Sequence, residues 1–394
     1  MTGKPPARIF YTIVASQFCC TSLWFAGNAI LPQAQAAYNW PVESIGYVTS
    51  LVQLGFIIGT LTFSVFGFSD RFAPSLVFLL CSLIASAFNA LSLVDVESLN
   101  LTLFTRFVTG FFLAGVYPVG MKIASDWKQE GLGHWLGALV GALVLGTAFP
   151  HALNLVPGFV APAKLILTVS ILAAFGGWAM YLLVGNGPYR KPAQRFSFAA
   201  VRDVFRSTSF KAPAAGYFGH MWELYAFWAF VPVILLTYQN ISQSNFSLPL
   251  WSFMIIASGF LGCVAGGKLS LKFGSKPIAG IALASSAVCC LISPLLFESD
   301  EYIFLAFMLF WGFMVVADSP QFSALVAFHA PAHIRGSAIT ITTCIGFAIT
   351  IASIQLLNVL QQHISARYLL LLLAPGPLLG LAWLYPFKTI PWKK

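Results

Sequence analysis

Residues 185–211 read GNGPYRKPAQRFSFAAVRDVFRSTSFK, six basic residues against the single acid Asp203. This is the longest polar stretch of the chain, and it lies near the midpoint of 394 residues. On both sides the sequence turns oily. Hydrophobic residues make up 58% of the whole and charged residues only 8%, where a soluble domain carries about a quarter charged residues, so lipid is the main solvent of this chain. The polar stretch therefore reads as a linker between two membrane-embedded halves. Its basic residues suit contact with anionic lipid headgroups better than a ligand site.

Cutting at Pro, Gly and charged clusters leaves six apolar segments before the linker, at about 9–34, 43–67, 75–94, 99–124, 132–155 and 162–184. Six more follow, at about 212–238, 249–270, 278–297, 302–325, 337–360 and 368–387. Most are long enough to cross a hydrocarbon core of about 30 Å. The first runs past Leu31, beyond the roughly 7–15-residue apolar core of a signal peptide, and reads as a retained span.

The net charge of +9 sorts by side of the membrane rather than marking a nucleic-acid partner. With the N-terminus inside, the inner connections hold Lys4, Arg8, Arg71, Lys128, the linker cations, Lys268, Lys272, Lys276, Arg335, Lys388, Lys393 and Lys394. Outside stand Lys164 and Arg367, with Glu43, Asp95, Glu97, Glu298, Asp300 and Glu301. This bias predicts an inner (plasma) membrane protein with an even number of spans and both termini cytoplasmic. The seven cysteines show no zinc or disulfide spacing and read as packing residues.

The two halves look related. GFFLAGVYP (110–118) and GFMVVADSP (312–320) share Gly-Phe and a Pro eight residues after the Gly, and Asp70–Ser75 aligns with Leu271–Lys276 at nearly the same offset. The expected fold is thus all-α, with twelve transmembrane helices in two pseudo-symmetric six-helix bundles. Residues 1–185 and 212–394 form the bundles, and 186–211 the cytoplasmic linker.

Twelve spans, a central basic linker and a basic turn after spans 2 and 8 resemble the major facilitator superfamily over essentially the whole chain. That family's loop pattern, Gly-x-Leu-x-Asp-Arg-x-Gly-Arg-Lys, is met by Asp70 and Arg71 in the first half and by Gly267, Leu269, Lys272, Gly274 and Lys276 in the second. Span 4 resembles the family's Arg-x-x-x-Gly signature through Arg106 and Gly110. The resemblance implies an inner-gate cluster of Asp70, Arg71 and Asp126, with Asp70 accepting from Arg71 or from a helix N-terminus of the other half. In span 5, Gly133, Gly137 and Gly141 recur every fourth residue, a spacing for close helix packing. The family's antiporter signature is not kept there, which disfavours a drug-for-proton exporter.

Charges inside the spans mark function. Glu223, in FGHMWELYAFWAFVP (218–232), stands near mid-bilayer with His220 on the same helix face. A carboxylate there costs roughly 3 kcal/mol, so it should face a partner or a wet cavity, and it reads as the principal proton-coupling acid. Asp318 in span 10 is the second. Pro320 and its span 4 counterpart Pro118 free backbone carbonyls and read as gating bends. Candidate substrate contacts are Arg106, His220, Gln17, Asn28 and Gln321, with Trp24, Trp222 and Tyr117 as aromatic walls. Gln17 and Asn28 are eleven apart and would share a face of an unbroken helix.

These readings combine into a proton-coupled secondary transporter of a small polar, zwitterionic or anionic solute, working by alternating access as a monomer in the lipid bilayer. An exporter of amphipathic compounds is the alternative, and a transport-inactive receptor or scaffold the rival of another class. No nucleotide-binding motif, metal-ligand set or nucleophile constellation appears, so no enzyme, cofactor, metal site or nucleic-acid partner is expected.

Overall fold

A computed structural model describes residues 6–128, 132–156, 161–190 and 196–385. Lys4, Lys191, Arg195, Lys388, Lys393 and Lys394, assigned above to the inner side, lie outside the described residues. Backbone N–H and C=O groups find no partner in hydrocarbon, so a chain this apolar crosses as helices that satisfy themselves. Twelve such helices stand among the described residues: span 1 (Ala7–Tyr38), span 2 (Ser44–Phe66), span 3 (Pro74–Asp95), span 4 (Leu99–Trp127), span 5 (Leu132–Leu153) and span 6 (Pro162–Val184) precede the linker. Span 7 (Thr208–Ser242), span 8 (Leu248–Phe273), span 9 (Ser275–Leu296), span 10 (Glu301–His329), span 11 (Arg335–Leu360) and span 12 (Ala366–Leu384) follow it. Most run a few residues beyond the apolar segments that predict them. Their ends follow local chemistry: Ser98, Ser247 and Asp300 accept from the backbone N–H groups of Leu101, Leu250 and Tyr302, and span 2 stops at Gly67, whose φ is +63°.

Four spans are interrupted among the described residues, span 12 near its start, where a 3-10 turn (Leu370–Leu373) separates Ala366–Leu369 from Pro375–Leu384. Span 4 breaks between Leu99–Leu113 and Tyr117–Trp127, and span 10 between Glu301–Ala317 and Ser319–His329; Pro118 and Pro320 each stand second in the piece that follows. The break in span 1, between Ala7–Thr21 and Ala26–Tyr38, carries no proline. There Thr21 Oγ1 donates to the Gln17 carbonyl at 2.8 Å and Ser22 Oγ to the Cys19 carbonyl at 2.7 Å, competing with the helix for its own acceptors. The break separates Gln17 and Asn28 onto two helices, so the shared face expected of them does not form.

Close helix packing falls elsewhere than the span 5 repeat suggests. Nothing stands within 4 Å of where a side chain would begin at Gly133 or Gly137, and Gly141 meets the ring of Phe260 in span 8. Tight approaches lie between spans 2 and 4, where Gly110 lies against the Val52 backbone and Gly55 against that of Phe107, between spans 7 and 12 at Gly219 and Gly376, and between spans 5 and 1 at Gly146. Gly262 and Gly312 make the seam between spans 8 and 10 that is equivalent to that of spans 2 and 4. Gly110→Leu is therefore expected to lower the melting temperature by an overpacking cost of about 1–3 kcal/mol, while Gly133→Ala leaves it unchanged; thermal unfolding of the two purified variants checks this.

Candidate functional site

A cavity of about 1750 Å³ runs in from the end of the bundle that carries the linker. Its mouth is charged, with Lys122, Lys268, Lys272 and Arg335 against Asp70 and Asp126. Its depth is uncharged and ring-rich, lined by Tyr117, Tyr217, Met221, Tyr225, Trp228 and Phe347. Five span 7 residues among the lining, 217, 221, 224, 225 and 228, repeat at helical spacing and so form one stripe.

At its deep end the cavity is closed by an aromatic layer. The Trp24 ring lies 4.9 Å from Phe56, 5.8 Å from Tyr225 and 5.7 Å from Phe347. Phe56 and Phe347 are 4.6 Å apart, and Tyr225 and Trp228 5.2 Å. Each such pair adds about 0.5–1.5 kcal/mol beyond area burial, so the layer is a firm yet uncharged seal. Toward the far side, span 11 meets span 2 through neutral amides: Gln355 Nε2 donates to the Gly46 carbonyl at 3.0 Å and to Ser50 Oγ at 2.8 Å, and Asn358 Nδ2 to the Glu43 carbonyl at 3.1 Å. The structure is thus open to the linker side and shut on the other.

Of the residues singled out in the sequence, Tyr117, Pro118, Pro320, Gln321, Asp70 and Asp126 line the cavity, whereas Arg71 does not. Asp70 is held by Lys122 of span 4 rather than by Arg71 or a helix end, and Arg190 of the linker donates to the backbone carbonyls of Asp70 and Phe72 at 2.9 and 2.8 Å. Trp24 belongs to the aromatic layer. Trp222 turns away and donates its indole N–H to the Leu372 carbonyl at 3.1 Å. Asn28 donates to Thr49 Oγ1 at 2.7 Å, and Gln17 packs against Gly120 of span 4.

Arg106, Glu223, His220 and Asp318, deeper in their spans than the charged mouth, are not part of the cavity lining. Arg106, 2% exposed, donates to Asn89 Oδ1 at 3.0 Å and to the Trp24 carbonyl in the span 1 break, with no carboxylate beside it among the described residues. Glu223, 1% exposed, accepts from Ser286, from Trp311 Nε1 at 2.7 Å and from Cys290 Sγ at 3.4 Å, all within spans 9 and 10. His220 and Glu223 do share a helix face, and that face packs against span 10 rather than the cavity. His220 Nδ1 stands 2.8 Å from Asp318 Oδ1, both residues 1% exposed. Asp318 occupies the span 10 break itself, and its successors Ser319, Pro320 and Gln321 line the cavity. The carbonyl of Val316, four residues before Pro320, receives the thiol of Cys263 at 3.7 Å.

The span 7 stripe and Phe347 are the lining residues that sequence reasoning passes over. Their spacing is visible in the sequence, but 37 Phe and 11 Trp residues make one aromatic stripe hard to tell from ordinary packing. All seven native cysteines are buried and Cys263 is the one that lines the cavity, so thiols introduced into a Cys263→Ala background report the cavity directly. A maleimide reaching the linker side is expected to label Tyr117→Cys about ten-fold faster than Ser50→Cys, since thiol reactivity follows access; mass spectrometry of timed samples measures the ratio.

Comparison with curated proteins gives no match. The family model of the Major Facilitator Superfamily matches residues 13–354, most of the chain, from within span 1 to within span 11. Its members are membrane transporters of small molecules and not enzymes. Twelve apolar helices, a cavity between them and that match together place this chain in the Major Facilitator Superfamily.

Proposed function

We propose that the chain is a proton-coupled secondary transporter, in which bundles 1–185 and 212–394 rock about the aromatic layer and open the cavity to each side in turn. The linker side is the cytoplasmic side of the inner membrane on this reading, with both termini there, and the working unit is a monomer. The observation that carries the coupling is the buried His220–Asp318 pair at the break in span 10. With His220 protonated and Asp318 ionised the two buried groups attract, so a proton on Asp318 weakens the hold of span 7 on the break. The break ends in residues of the cavity wall, which gives solute and proton a common element to act on. Cys263 faces the same break from span 8.

Asp318 is therefore the principal proton site and Glu223 the second, the reverse of the order the sequence suggests. Glu223 sits among three donors on its own side of the protein and away from the cavity. The depth of the cavity also favours one solute class over another. A ring-lined, uncharged end suits an amphipathic organic solute with an apolar body better than a compact zwitterion, and Arg106, turned to Asn89 and Trp24, acts on that end only through the Trp24 backbone.

Proteoliposomes with an alkaline interior and a panel of labelled aromatic solutes test the coupling. The parent protein is expected to accumulate at least one solute and to lose it on adding a protonophore. Asp318→Asn is expected to exchange labelled for unlabelled solute at the parental rate without accumulating it. Accumulation by Asp318→Asn equal to the parent contradicts the assignment, and a parent that moves no solute contradicts transport itself.

A further inference from the structure

Between the aromatic layer and the amide contacts of spans 2 and 11 lies a polar stratum that the coupling scheme does not use. Asn28 reaches Thr49 of span 2, and Thr49 Oγ1 donates in turn to the Ile45 carbonyl at 2.6 Å. Gln53 stands one turn beyond Thr49 and one turn before Phe56 of the aromatic layer, on the same side of the helix. It is 0% exposed, yet neither its amide nitrogen nor its amide oxygen has a partner among the described residues. Asn28 Oδ1 and the indole N–H groups of Trp24 and Trp228 are likewise unpartnered. Ring contacts hold these groups together: Trp24 packs on Phe56 and Tyr225, and Tyr225 on Trp228.

A buried polar group without a partner costs about 1–3 kcal/mol. Leucine would fill the place of Gln53 at no such cost, so the amide implies something it binds in another state of the cycle. The uncommitted groups are amide and indole donors together with amide acceptors. Arg106 lies behind Gly27, its two terminal nitrogens committed to Asn89 and the Trp24 carbonyl and its Nε without a partner among the described residues. We propose that Gln53, with Asn28, Trp24 and Trp228, receives the polar head of the solute, and that this head is neutral and both donates and accepts hydrogen bonds, as a hydroxyl or carboxamide does. The inference rests on the transporter reading above and adds the head-group class; the apolar body of the solute then lies against Tyr225 and Phe347.

Quenching of intrinsic tryptophan fluorescence by nitroaromatic probes tests this on the purified full chain, with no pH gradient present. The probes are para-nitrobenzamide and para-nitrophenyl glucoside as neutral heads, para-nitrobenzoate as the charged isostere of the amide, and nitrobenzene as the ring alone. Saturable quenching by a neutral probe is expected at lower concentration than by the benzoate. Gln53→Leu is expected to weaken the neutral probe about ten-fold while leaving nitrobenzene unchanged. Its melting temperature should match or exceed that of the parent, because Gln53 makes no bond in the free protein; Gln53→Asn, with a shortened amide, should fall between. Tighter binding of the benzoate, no saturable quenching by either neutral probe, or parental affinity in Gln53→Leu overturns the proposal. A fall in melting temperature with loss of all probes assigns Gln53 to packing and overturns it too. A parent protein that binds the neutral probe yet accumulates no solute under a pH gradient fails the coupling scheme and not this proposal, so the two failures read out separately.

Discussion

Hydrocarbon offers a backbone no hydrogen-bonding partner, and each unsatisfied group costs several kcal/mol, so every interruption of a spanning helix has to be answered from within the protein. That constraint organises this molecule. The carbonyl of Trp24, released where span 1 breaks, is taken by the guanidinium of Arg106, and the clasp fixes the indole that seals the cavity. In span 10 the Val316 carbonyl takes the thiol of Cys263, and the break leaves Asp318 facing His220. The seal and the acid are both products of how a broken helix is repaired.

The placement of charge follows a second rule. Asp70 pairs with Lys122 among the first six spans, and His220 with Asp318 among the last six. Among the described residues, rings and amides join the two sets on the far side: Trp24 on Tyr225, Gln355 on Ser50, Asn358 on the Glu43 carbonyl and Gln362 on the Glu43 carboxylate. Breaking a buried ion pair costs about 3–5 kcal/mol, whereas ring contacts and amide bonds part for about 1 kcal/mol each. An interface of the second kind suits two bodies that must separate and rejoin.

Much of this was legible in the sequence, and the exceptions have physical causes. All twelve spans follow from apolar runs between charged turns, and the breaks in spans 4 and 10 fall beside Pro118 and Pro320 as the missing N–H of proline predicts. The break in span 1 does not, because Thr21 and Ser22 make it by bonding locally to backbone carbonyls, a choice decided by surroundings as much as by residue type. Gln17 and Asn28 lose their common face to that break. Glycine spacing in span 5 misleads for a related reason: the repeat at Gly133, Gly137 and Gly141 shows where helices are able to approach, while tight approaches occur at sites such as Gly55 and Gly110, across seams that only tertiary packing selects. Glu223 and Asp318 stand out equally as acids in oil. Only the fold distinguishes one surrounded by donors in spans 9 and 10 from one set against a histidine at a break whose next residues line the cavity.

Infrared difference spectroscopy of the protein in lipid, titrated from alkaline to acid pH, tests most directly that Asp318 carries the coupled proton. The account predicts a protonated-carboxyl band from a buried acid that disappears in Asp318→Asn and persists in Glu223→Gln. A band that survives in Asp318→Asn and is lost in Glu223→Gln would contradict it and return the principal role to the acid in span 7.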